Sequence, residues 1–296
     1  MTESNPETKR GEKYLFIEIV LWAFFPIVTT LTYAHLPSLI SLGWSTLFAA
    51  IFFGGVVLYR KSWREMQNLL LWKYIAGIVL FTGVLFYVFY FVGLKYTTPG
   101  NAALIALFEV FTSFVFFNIL RGEYMSRDHK IGAVLMVIGA LIVLAPNFSG
   151  INIGDFLVLG ATFCAPFGNF FQQKARAIAS SEIIVFVRSV VAAAVIFLLA
   201  YLFGQHASIG NVQASLSLLL INGVLILGLS KILWIEAIYR MSVTKAIALN
   251  SMTPLLTLII AWAVLSQAPN MWQLASLVPL LLGAFFLTGQ LKLPRL

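Results

Sequence analysis

The chain has 296 residues, 60% of them hydrophobic and only 10% charged, with a formal net charge of +8. A soluble domain carries roughly 25% charged residues. This composition, with a mean hydropathy of +0.95, therefore excludes an ordinary water-soluble protein and makes the bilayer the solvent. The basic excess does not describe a nucleic-acid binder, because Lys and Arg fall in short connections between apolar runs rather than on one basic face. Residues 1–13, MTESNPETKRGEK, are polar and are expected to form a disordered cytoplasmic tail. The apolar run that follows is too long and bulky for a cleaved signal peptide, so it is expected to remain as the first span.

A helix needs about 20 apolar residues to cross the hydrocarbon core. On that measure the runs place spans near 14–34, 38–59, 73–94, 99–120, 130–146, 154–173, 182–203, 215–237, 243–265 and 271–290. Most are apolar all round, as helices facing lipid or buried in a bundle are, and no strand alternation competes. The expected class is an all-α membrane protein of ten transmembrane helices. It divides into a first repeat at 14–146 and a second at 147–296.

Loop charge tests this arrangement, because cytoplasmic connections concentrate Lys and Arg. The loops alternate as required: 16 of the 19 basic residues fall on one side, from Lys9, Arg10 and Lys13 through Lys292 and Arg295. The opposite loops, AHLPSL, NFSGINIG, GQHASIGNVQ and SQAPN, carry none, and KYTTPG carries only Lys95. Both termini are thus expected in the cytoplasm, in an inner-membrane protein. Five helices per half is an odd number, so a repeat of the halves is inverted across the membrane. The segment YTTPGNAALIALFEVFTSFVFF can be laid over MSVTKAIALNSMTPLLTLIIAW, each the fourth span of its half, with Glu109 or Pro254 about twelve residues in.

An ionisable side chain inside a span costs about 2.5–3.5 kcal/mol at a helix centre and calls for a function or a partner. Glu18, Glu109, Arg188 and Lys231 all qualify. Glu109 is a protonatable site in a cavity, binding a cationic group or coupling transport to protons, or it is a carboxylate paired with Lys231 or Arg188. Lys231 holds an anionic substrate group or serves as the partner of Glu109, and Arg188 admits a binding or a structural role. Glu236 precedes Arg240 by four residues, the spacing of an ion pair on a helix surface. Asn101 and Asn250, early in the two matching helices, either meet substrate or bond between helices. Trp22, Trp44, Tyr87, Tyr90 and Trp234 lie deep enough to wall a site for an apolar or cationic substrate. Pro26, Pro166, Pro254 and Pro279 interrupt spans and free backbone carbonyls. Cys164 stands alone, which excludes a disulfide within the chain.

The residues LWAFFPIVTT, GLKYTTPGNAALIALFEVFT with RGEYMSRDHKIGAVLMVIGALIVL, GDFLVLGATFCAPFGNFFQQKA and IEAIYRMSVTKAIALNSMTPLLTLI together resemble the drug/metabolite transporter superfamily, and within it the EamA family. The resemblance covers nearly the whole chain. It implies two inverted five-helix halves around a central cavity with alternating access, and export of an amino acid or another small metabolite. Glu123 matches the glutamate that the family has after the fourth span of a repeat, while the second copy, VLSQAPN, lacks it. Where this chain has LFEVF, the family often has proline. Three histidines near loops, with no HExxH, GxSxG or Walker motif, leave no constellation for an enzyme, a cofactor, a metal or direct ATP drive. A lipid flippase or scramblase, and less so a channel, are the alternatives.

Overall fold

The computed structural model describes residues 6–117, 126–144 and 152–292, and Glu123 lies outside them. Among the described residues all regular structure is helical. Eight helices of the described residues are long and apolar enough to cross a membrane: α1 Pro6–Thr32, α2 Ser38–Arg60, α3 Leu69–Leu94, α4 Pro99–Phe117, α6 Ile153–Arg176, α7 Ser181–Leu202, α8 Leu216–Arg240 and α9 Lys245–Leu265. Between α4 and α6 lies α5, Arg127–Leu144, whose first turn carries Arg127, Asp128 and Lys130. The last helix, α10, spans Met271–Leu287 and is apolar but has only 17 residues. At 1.5 Å per residue it is about 26 Å long, slightly less than the hydrocarbon thickness.

The helix expected to begin at residue 14 instead starts at Pro6. Residues 6–13 are helical, where a disordered tail was expected, because their two carboxylates have partners on distant helices. Glu7 pairs with Arg240 at 3.2 Å and Glu12 with Lys245 at 2.7 Å. The Glu236–Arg240 pair forms, but it is not a surface pair. Arg176 also bonds Glu236 at 2.6 Å, Ser181 joins them, and both members are mostly buried. This cluster ties the basic C-terminal ends of α6 and α8 to the start of α7.

The packing treats the two halves as equivalents. The first helix of one half packs on the third of the other, α1 on α8 and α3 on α6, while α2 packs on α7, α4 on α9 and α5 on α10. Irregularities recur at matching places as well. Both third helices contain a π-helical stretch, Val79–Leu85 in α3 and Ile221–Leu229 in α8. Both fourth helices start on a hydroxyl cap, Thr98 accepting from the Asn101 amide and Ser242 from that of Lys245. Both then break, at residues 107–108 in α4 and 251–252 in α9. Pro254 accounts for the second break, since it lacks the amide that would continue the ladder. No proline stands at the first, where Glu109 opens the following helix and its carboxylate suits the positive end of that helix.

Close approach of α5 and α10 depends on glycine. A Cβ at Gly132 would lie 2.9 Å from the Gly283 carbonyl oxygen, and one at Gly283 would lie 2.9 Å from the Gly132 carbonyl. Side chains there would hold the helices apart, so the small residues let two backbones touch.

Candidate functional site

The polar interior follows from where the ionisable side chains of α1, α4, α7 and α8 point. A two-lobed cavity runs between the halves, its lobes taking in about 490 and 430 Å³ of space, open solvent included, and sharing Trp22, Glu109 and Asn250 in their walls. The larger lobe is mixed in character. Pro26, Tyr90, Leu107, Val110 and Pro254 face it with Ser251, Thr253 and Thr257. In the smaller lobe the charges gather: Glu18, Glu109, Arg188 and Lys231, with Thr82, Tyr87, Asn169, Gln172 and Trp234.

The four charges are held differently. Lys231 donates to the Glu18 carboxylate at 3.5 Å and sits 3.2 Å from the centre of the Trp22 ring. Ser230 donates to the same carboxylate oxygen at 3.3 Å. An ammonium between a carboxylate and an aromatic face is satisfied on two sides, by charge and by the ring quadrupole. Trp22 is fixed in turn by stacking on Phe25, with centroids 4.3 Å apart.

Glu109 pairs with neither cation. Its Oε1 accepts from Asn169 Nδ2 at 3.0 Å, while Asn169 Oδ1 accepts from Trp234 Nε1 at 2.9 Å. The amide thus relays between a carboxylate and an indole, so that its own orientation is fixed. Arg188 is 3% exposed, and no described carboxylate pairs with it. One terminal nitrogen donates to the Leu227 carbonyl, within the π-helical stretch of α8, at 2.8 Å. The other terminal nitrogen has no hydrogen-bond partner among the described residues, and the Tyr87 ring centre lies 5.8 Å from the guanidinium carbon. Wide π-helical turns leave carbonyls free of the regular ladder, and such turns recur at functional sites.

Of the residues singled out from the sequence, Glu109, Lys231, Arg188, Trp22, Tyr87, Tyr90, Trp234 and Asn250 line the cavity. Trp44 and Asn101 do not. Trp44 packs among Phe48 and Phe197, 5.7 and 5.8 Å between centroids, beside the short helix before α8. Asn101 accepts from Gln273 Nε2 at 2.7 Å and so joins the starts of α4 and α10. The pairing of Glu109 with Lys231 or Arg188 is replaced by the Glu18–Lys231 pair. Asn169 and Gln172 were not foreseen as cavity residues. Their signal was spacing: three residues apart on α6, they share one helix face. Gln172 donates to Thr82 at 2.9 Å and leaves its carbonyl oxygen unpartnered among the described residues.

Comparison with known proteins bears on the whole chain. The EamA-like transporter family model matches residues 9–145 and again 152–289. The Bacillus subtilis (strain 168) protein named Uncharacterized transporter YyaM is 22% identical over 233 residues, covering 75% of this chain and 74% of its own. A crystal structure 20% identical in sequence superposes with a TM-score of 0.69 over 94% of this chain and 96% of that one, which shows a shared fold. With the family match falling once on each half, the chain belongs to the EamA-like transporter family and is a multi-pass membrane transporter of small solutes rather than an enzyme.

Proposed function

We propose that this protein is a secondary transporter of the inner membrane that exports a small zwitterionic metabolite, an amino acid or a close relative, by alternating access through the two-lobed cavity. All ten helices cross the bilayer in this reading, the halves are inverted, and both termini are cytoplasmic. The exchange-symmetric packing of the halves and the alternation of basic loops support it.

One observation carries the substrate class. The cavity is lined by a buried guanidinium and a half-buried carboxylate, Arg188 and Glu109, that form no ion pair among the described residues. Burying a charge without a partner is costly, so a resting site with one unpaired group of each sign suits a solute bringing the opposite pair. Arg188 receives the carboxylate and Glu109 the ammonium. The solute's side chain extends toward Tyr90, Leu107 and Val110 in the larger lobe. Lys231, already held by Glu18, contributes to the field and changes partner when α1 and α8 separate. Glu109 is also the group that binds a proton when the solute has left, which couples export to a proton gradient.

The test is transport of a radiolabelled amino-acid panel into proteoliposomes, with and without a pH gradient, by wild type and Glu109→Gln. Gradient-dependent uptake in wild type alone supports the coupled carrier. Uptake indifferent to gradient and to substitution leaves a facilitator or exchanger, and no uptake of any amino acid overturns the substrate class.

A further inference from the structure

Outside the substrate cavity, an apolar groove runs down the surface between α1 and α9, lined by Leu15, Phe16, Ile19, Leu249, Met252 and Leu255, with a volume of about 1060 Å³. Beside it lies an open face of α1 formed by Lys9, Glu12, Lys13, Phe16 and Ile17. The two share Glu12 and Phe16, so the charged face of α1 borders the apolar groove. Spacing on the helix produces this: Lys9 and Lys13 stand four residues apart and share a face with Phe16 and Ile17. Glu12 is neutralised by Lys245 at 2.7 Å, whereas Lys9 and Lys13 are exposed and have no ion pair among the described residues. Seven residues separate Lys9 from Phe16, about 10 Å along the helix, the step from the headgroup region into the acyl chains.

We infer that this groove is a binding site for an anionic phospholipid, its phosphate held by Lys9 and Lys13 and one acyl chain lying along Phe16, Ile19, Met252 and Leu255. Charge complementarity selects the headgroup, since each lysine near a membrane surface favours an anionic lipid by about five-fold. The groove also touches the transport machinery. Met252 and Leu255 face it from the same stretch of α9 whose Ser251, Thr253 and Pro254 line the substrate cavity, so the lipid lies one helix away from the solute. An occupied groove therefore bears on the broken turn of α9.

Native mass spectrometry of the detergent-purified full chain, titrated with phosphatidylglycerol or with phosphatidylcholine of the same chains, tests the site. Wild type retains phosphatidylglycerol in preference. Lys9→Gln with Lys13→Gln reduces that preference by about 10- to 30-fold, and Leu255→Trp, which fills the groove, weakens retention of both lipids. Lys61→Gln with Arg64→Gln, a basic cluster elsewhere on the chain, leaves the preference intact. The inference is overturned by equal retention of the two lipids in wild type. It is equally overturned if the two double variants lose the preference alike, or if glycerol phosphate displaces phosphatidylglycerol, which would make the site one for free phosphate. The lysines are exposed, so their replacement leaves folding unaffected and circular dichroism serves as the control.

Discussion

The Lys231 ammonium is bound from two sides by one helix, α1, with the Glu18 carboxylate 3.5 Å away and the Trp22 ring centre at 3.2 Å. Glu18 and Trp22 are four residues apart and so present a carboxylate and a ring on one face. Since α8 carries the lysine, this contact joins the first helix of one half to the third of the other.

Removing one member of that pair leaves the other buried and uncompensated, at a cost of about 3–5 kcal/mol. Lys231→Met is expected to be that much less stable, while Lys231→Met combined with Glu18→Leu recovers most of the loss, because a well-packed apolar pair often replaces a buried ion pair at no cost. Equilibrium unfolding in mixed micelles, followed by tryptophan fluorescence, gives the double-mutant cycle. Independent, additive losses would show that the two side chains are not coupled.

Arg188 differs because its second nitrogen is unpartnered among the described residues. Replacing it with Lys keeps the charge and loses the planar fork that grips a carboxylate through two parallel bonds. Transport of a zwitterion by Arg188→Lys is expected to show a KM raised by about 10- to 100-fold, the worth of a hydrogen bond to a charged group. The methyl ester of the same amino acid, which has no carboxylate, should compete weakly with wild type and lose nothing further in the variant. Equal losses for acid and ester would remove the guanidinium from carboxylate recognition.

How much of this could be read in the sequence differs by level. The helices were legible because each apolar run is closed by charge or by a turn. Even so, the start of α1 moved to Pro6, since the partners of Glu7 and Glu12 lie more than two hundred residues away. Charges in spans pointed to residues that line the cavity, yet their pairing was not legible. Glu109 was set against Lys231 or Arg188, and the fold gave Lys231 to Glu18 and Glu109 to Asn169. Sequence reports that a buried charge needs a partner, and only packing decides which one arrives. Trp44 and Asn101 show the converse: their depth along a helix was right for a cavity, but the faces they occupy turn toward α7 and α10.

The α5–α10 contact offers a test of packing away from the charges. A Cβ at Gly139 would lie 2.9 Å from a methyl of Leu280 and 3.0 Å from its backbone nitrogen, and Gly132 meets the backbone of Gly283 as closely. Gly132→Val is expected to destabilise by about 1–3 kcal/mol through overpacking, whereas Gly55→Val, with no neighbour within 4 Å, should be close to neutral. Thermal unfolding of both in detergent compares them, and equal behaviour would mean that α5 and α10 have room to part.

Asn169 is the positioning residue for Glu109, since its amide donates to the carboxylate while its carbonyl is pinned by Trp234. Asn169→Leu removes both bonds and leaves the buried Trp234 indole unsatisfied, with a stability loss of about 1–3 kcal/mol. The functional expectation is more specific. If the role of Asn169 in transport runs only through Glu109, then Asn169→Leu changes the response of uptake to a pH gradient, and adding it to Glu109→Gln changes nothing more. Trp234→Phe, which frees the amide but keeps the ring, should give a smaller change in the same direction. The measurement is initial uptake in proteoliposomes across a series of imposed gradients. An Asn169→Leu effect that persists in full on the Glu109→Gln background would place Asn169 in direct contact with the solute instead.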